Sequence, residues 1–213
     1  MGKVYTFIAD VTPLYEADVY AWNYALVPDF RREKADRLGE REAQAQSVGV
    51  WRLWMLAQEW LREREPGTEY PVFNLSHSGK YVLCSVPPAG EKTGCDIEKI
   101  GAFRGKLAER FFCPEEYDFL MAQEEEVRRE TFYRYWVLKE SFMKATRQGM
   151  KMGLDTFSIR LDSASGRPEL VRQPEDVKET YYYQEYQAPG ARIAVCSTCM
   201  HFAEKIKNIS LNL

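Results

Sequence analysis

Apolar positions along the 213-residue chain change period several times, and each change marks an element. Residues 3–10 alternate and predict a first strand. Residues 16–26 read as a short helix ended by Pro28. Residues 29–64 are helix-rich with a break near Gly39. In their second part Val50, Trp54, Ala57 and Leu61 recur at four, three and four residues, which predicts one buried face. A loop at 66–71 leads to a strand at 72–75, a turn at Ser76-His77-Ser78-Gly79 and a strand at 80–86. A short strand at 93–100 carries charges on alternate positions. Residues 105–149 are helical, with Pro114 opening one helix and Thr131 another. Within them Tyr135, Leu138, Phe142 and Ala145 form the inward stripe, and Trp136, Glu140 and Lys144 share a different face. Strands follow at 157–161, 180–186 and 192–197.

Tyr81-Val82-Leu83-Cys84-Ser85 is echoed by Ile193-Ala194-Val195-Cys196-Ser197. The echo and the element order fit an α+β fold of two halves packed into one globule. These are an N-terminal half, 1–100, and a C-terminal half, 101–213, with a seam near residue 100.

Composition narrows the function. With 45% hydrophobic residues the chain can bury a real core. A formal net charge of −3 argues against a protein that works by coating nucleic-acid phosphates. No apolar run is long enough to cross a bilayer and no secretory signal opens the chain, so the expectation is a cytoplasmic protein with no membrane partner. Five dispersed cysteines fit reduced thiols. Cys196 and Cys199 have CxxC spacing, but no second pair completes a structural zinc site, so buried free thiols are expected.

Three constellations carry candidate chemistry. In Gly94-Cys95-Asp96-Ile97-Glu98 a strand puts Asp96 and Glu98 on one face. Two carboxylates so close need a cation between them, and few hard oxygen ligands suit Mg²⁺; a charged strand rim is the plain structural alternative. On the helix at 136–144, Glu140 and Lys144 form either a surface ion pair or a third ligand with a phosphate clamp. In Phe73-Asn74-Leu75-Ser76-His77-Ser78-Gly79 a histidine and hydroxyls stand where Gly79 lets the backbone turn.

In order and spacing these resemble the motifs of the 4′-phosphopantetheinyl transferase family, in its larger, monomeric, surfactin-synthetase-activating class. That class carries N-[IL]-S-H-[ST], then G-[IV]-D-[IVL]-E, then W-x-x-K-E-[SA]-x-x-K. Here they read Asn74 to Ser78, Gly94 to Glu98 and Trp136 to Lys144, with Arg110-Phe111-Phe112-Cys113-Pro114-Glu115-Glu116-Tyr117 between the last two.

The resemblance implies transfer of phosphopantetheine from coenzyme A to a serine of an apo acyl- or peptidyl-carrier protein, releasing 3′,5′-adenosine bisphosphate. It implies that Asp96, Glu98 and Glu140 hold Mg²⁺, that Lys144 and Lys139 neutralise phosphate, and that Ser76 and His77 contact coenzyme A phosphates. Glu140 is the candidate base, directly or through a metal-bound water, and the fold implied is a pseudo-dimer of two similar α+β halves with the active site at their seam. One or more of Phe111, Phe112 and Tyr117 is expected to face the carrier.

The chain departs from the pattern at 66–71, where a basic loop is expected, and at Ala45, where an arginine is expected. Arg41, one turn earlier, is the candidate substitute, with Arg31, Arg32 and Lys34 behind it. Two rival readings stand beside this one. A non-catalytic module that binds coenzyme A or a carrier would explain the departures. A nuclease built on Asp96, Glu98 and Lys99 fails because Lys99 points away from the carboxylates.

Overall fold

A computed structural model describes residues 2–149, 152–161 and 166–212. Strand β1 (Tyr5–Asp10) is followed by a 3-10 turn at Thr12–Tyr15 and helices α1 (Ala17–Leu26), α2 (Asp29–Asp36) and α3 (Arg41–Arg64). Strands β2 (Asn74–Ser78), β3 (Tyr81–Val86) and β4 (Thr93–Lys99) come next. After α4 (Gly105–Phe111), α5 (Pro114–Met121) and α6 (Glu125–Thr146) lie β5 (Ser158–Leu161), β6 (Pro168–Arg172), β7 (Tyr182–Ala188), β8 (Ala191–Ser197) and β9 (Lys207–Asn208). The class is α+β.

Two three-stranded units share one order. In the first, β3 lies between β2 and β1; in the second, β8 lies between β7 and β4, and all four pairings are antiparallel. The sequence echo falls on the two central strands, with Cys84 in β3 and Cys196 in β8. Helix α3 packs on the first unit and α6 on the second. Strand β4, although it precedes residue 100, is hydrogen-bonded into the second sheet. The end of the chain returns to the first sheet, where β9 pairs in parallel with β1.

Both long helices bury the predicted stripes. Val50, Trp54, Ala57 and Leu61 are in one core, and Tyr135, Leu138, Phe142 and Ala145 in another. Helix α6 does not begin at Thr131. It runs unbroken from Glu125, because Glu125 and Glu126 in its first turn favour a helix N-terminus and Thr131 is simply one more buried residue on the same face. All five cysteines are free and buried.

The stretch expected as a turn at 76–79 is mostly strand. Ser76, His77 and Ser78 pair with Leu83, Val82 and Tyr81, and the turn itself is Gly79-Lys80. Gly79 sits at φ +52, the left-handed region that glycine enters without a steric penalty.

Candidate active site

Strands β2 and β4 run side by side as the edges of the two sheets, and side chains of β2 join them. Asn74 Oδ1 accepts from the Cys95 amide at 2.9 Å. Ser76 Oγ donates to Asp96 Oδ1 at 2.8 Å, and Ser78 Oγ donates to Glu98 Oε2 at 2.9 Å. Ser78 Oγ also accepts from the Lys99 amide at 3.1 Å. The alternate residues 74, 76 and 78 share a face of β2, so one small polar ladder bridges the two edges and aims the two acids. Behind the turn, Gln46 of α3 donates from Nε2 to the Gly79 carbonyl at 2.7 Å.

Helix α6 reaches β4 because Gly94 has no side chain. A Cβ there would stand 2.2 Å from the Ser141 carbonyl oxygen and 2.3 Å from the Ala145 amide nitrogen. That close approach brings Lys144 Nζ to 2.6 Å from Asp96 Oδ1 and 3.1 Å from Ser76 Oγ. Asp96 is 4% exposed, and its second oxygen, Oδ2, is buried without a hydrogen-bond partner.

The electrostatics follow from this crowding. Glu98 and Glu140 are both held above the usual carboxylate range, first by burial and then by the charge of Asp96. Lys144 draws Glu140 back down in part. Burial works most strongly against the Lys144 charge, but Asp96, Cys95 and Glu140 together outweigh it and the ammonium is held above its ordinary value. A cleft of about 200 Å³ opens beside Glu140, Met143, Lys144, Arg147 and Gly149. Among the described residues the Glu140 carboxylate makes no hydrogen bond, and no three acidic, histidine or cysteine side chains close into a ready-made metal cage. Lys144 is the cation that now stands among the acids.

His77 is exposed. Partial burial of its ring and the positive charges of Lys144, Lys34 and Arg31 lower its pKa against the pull of Asp96. Those three cations therefore share its surroundings, which favours an anion. Arg31 lies 4.7 Å from the Trp51 ring centroid, and its Nε is buried without a partner. The sequence ranks Arg31 and Lys34 behind Arg41; only the fold places these two near His77.

Other expected site residues are placed elsewhere. Lys139 is fully buried, 2.7 Å from the Glu116 carboxylate, and donates to the Phe157 carbonyl at 2.9 Å. It is not a phosphate clamp in this arrangement, because residue 139 lies about 100° around the helix from residue 140 and points into the core. Arg41 donates to the Tyr15 carbonyl. Ala45 is fully buried in the core of α3. Of the aromatic residues expected to face a carrier, Phe112 is core, while Phe111 and Tyr117 are partly buried against it. The neighbouring Phe119 and Met121 are the exposed ones, at 38% and 37%.

The sequence profile of the 4′-phosphopantetheinyl transferase superfamily matches residues 92–196. The chain is 35% identical over 139 residues to 4′-phosphopantetheinyl transferase Sfp of Bacillus subtilis (strain 168), covering 65% of this chain and 60% of that protein. It is 35% identical over 154 residues to 4′-phosphopantetheinyl transferase ffp of Bacillus subtilis, covering 72% and 67%. Among solved structures, holo-[acyl-carrier-protein] synthase of Neisseria meningitidis is 20% identical with a TM-score of 0.43, covering 50% of this chain and 95% of that one. The chain thus spans 60% and 67% of the length of these two sequence relatives.

Proposed function

Since the chain belongs to the 4′-phosphopantetheinyl transferase superfamily, we propose that it transfers the 4′-phosphopantetheine arm of coenzyme A to a serine of an apo-carrier protein, with Mg²⁺. The observation that carries this reading is the buried, unpartnered Oδ2 of Asp96, set among carboxylates that crowd one another. A buried acceptor left unsatisfied costs free energy unless a cation is its intended partner.

Asp96, Glu98 and Glu140 suit a hard divalent cation, being oxygen donors from two elements pressed together at Gly94. When bound, Mg²⁺ would act as a Lewis acid toward phosphoryl oxygens. The side chains of this chain do the remainder. His77, with Lys34 and Arg31 nearby, receives phosphate charge at the outer end. Lys144, freed from Asp96, donates to the pyrophosphate and stabilises the charge that grows on the leaving oxygen. The carrier serine oxygen forms its bond to the β-phosphorus as the bond to 3′,5′-adenosine bisphosphate breaks. Glu140 takes the serine proton, directly or through an intervening water. The shared strand order of the two units supports a pseudo-dimer with this site at the seam.

The test is transfer itself. Apo-carrier proteins from unrelated systems, incubated with coenzyme A and Mg²⁺, should gain the mass of the phosphopantetheine arm, and EDTA should stop the gain. No modification of any carrier by the folded protein would refute the reading; full activity in EDTA would remove the metal from it.

A further inference from the structure

Lys139 is the residue whose surroundings differ most from what its motif suggests. Its ammonium donates to Glu116 at 2.7 Å and to the Phe157 carbonyl at 2.9 Å, and lies 4.4 Å from the Phe157 ring centroid. Glu116 is used up just as fully: it accepts from the Cys113 amide at 2.9 Å and from the Ile159 amide at 2.8 Å. Both side chains have zero exposure. One buried pair therefore ties the start of α5 and the start of β5 to the middle of α6.

We propose that Lys139 is a positioning residue for the transfer site: the Lys139–Glu116 pair pins the rotation of α6 and thereby aims Glu140 and Lys144 at β4. The inference rests on the transferase reading above. A buried ion pair is weak evidence for stability, since its desolvation penalty offsets much of the attraction, and apolar replacements are often as stable. What such a pair does supply is direction. Apolar packing resists rotation of the helix but tolerates small repacking; rotating it away from a lysine with fixed acceptors leaves an unpaired buried charge. The Glu140 carboxylate, one residue on, has no hydrogen bond of its own to hold it. Its aim comes from two constraints on the helix backbone, the contact at Gly94 on one side and the pair at Lys139 on the other.

The experiment uses the double variant Glu116→Gln/Lys139→Met, which removes both charges together, and the single variant Glu116→Asp, which keeps them but draws the anchor back by one methylene. Each is measured for melting temperature, for kcat and KM with coenzyme A and carrier, and for amide hydrogen exchange along α6. The expected result is a double variant that melts near wild type, loses roughly ten- to a hundredfold in kcat with KM for coenzyme A unchanged, and exchanges faster at residues 139–144. Glu116→Asp shows the same pattern with a smaller loss, and decides the matter if the double variant does not fold. Wild-type kcat in folded protein overturns the proposal, as does a raised KM for coenzyme A at unchanged kcat, which would put Lys139 on the substrate. If wild type itself transfers nothing, the function reading fails, and the hydrogen-exchange comparison still tests the pin.

Discussion

Helix α6 carries two lysines five residues apart, and their ion pairs are opposite in kind. Lys139 and Glu116 are both at zero exposure, and each finds further partners within hydrogen-bonding distance. Lys144 and Asp96 are close at 2.6 Å, but the lysine is 29% exposed and one oxygen of the acid has no partner. Two further carboxylates stand nearby with raised pKa values. The first pair is finished by folding; the second is left incomplete. An incomplete buried acceptor crowded by further carboxylates is where a ligand supplies what the chain does not.

The sharpest way to break this comparison is to remove charge from the incomplete side. Asp96→Asn and Glu140→Gln should each cost several kcal/mol of transition-state stabilisation, on the order of a thousandfold in transfer rate. The melting temperature of Glu140→Gln should stay at or above wild type, since carboxylate crowding is relieved and no ion pair is lost. A large loss of stability would mean that the acids are structural.

The next largest effect falls on the finished side. Glu116→Ala leaves Lys139 buried and unpaired, at an expected cost of about 3–5 kcal/mol. Chemical denaturation should show it as a lower midpoint; an unchanged midpoint would place both pairs in one class. Gly94→Ala tests the contact that joins the two sides. A methyl group that meets the α6 backbone must push β4 and α6 apart, for about 1–3 kcal/mol of stability. Activity should fall by more than that loss explains, because Lys144 and Glu140 move away from Asp96.

The smallest effect is a pH dependence. Glu98 and Glu140 have folded pKa values above their ordinary 4.5. The folded state therefore binds more protons than the unfolded one in that window, and stability falls as pH rises through it. The melting temperature of the metal-free protein should decline from about pH 4.5 upward, and Mg²⁺ should blunt the decline. A profile that Mg²⁺ leaves unchanged would separate these carboxylates from the metal.

Much of this was legible in the sequence, for local reasons. Period-3.6 stripes located α3 and α6, since a helix of that length must bury one face whatever it packs against. Alternation put Asp96 and Glu98 on one side of β4, and helical spacing put Glu140 and Lys144 together on α6; those relations hold within a single element. The echo between residues 81–85 and 193–197 followed the matching central strands β3 and β8. What the sequence did not carry was every relation between elements. The segment at 76–79 looked like a turn because serine and glycine favour one, yet pairing with β3 drew Ser76 to Ser78 into a strand whose side chains zip two sheets together. Lys139 and Lys144 are alike as letters in one motif. Their separation into a core pin and a site cation depends on which neighbour each meets, Glu116 from α5 or Asp96 from β4. Charge type is written in the chain, but burial and partner are set by packing, and those two decide whether a lysine holds the structure or faces a ligand.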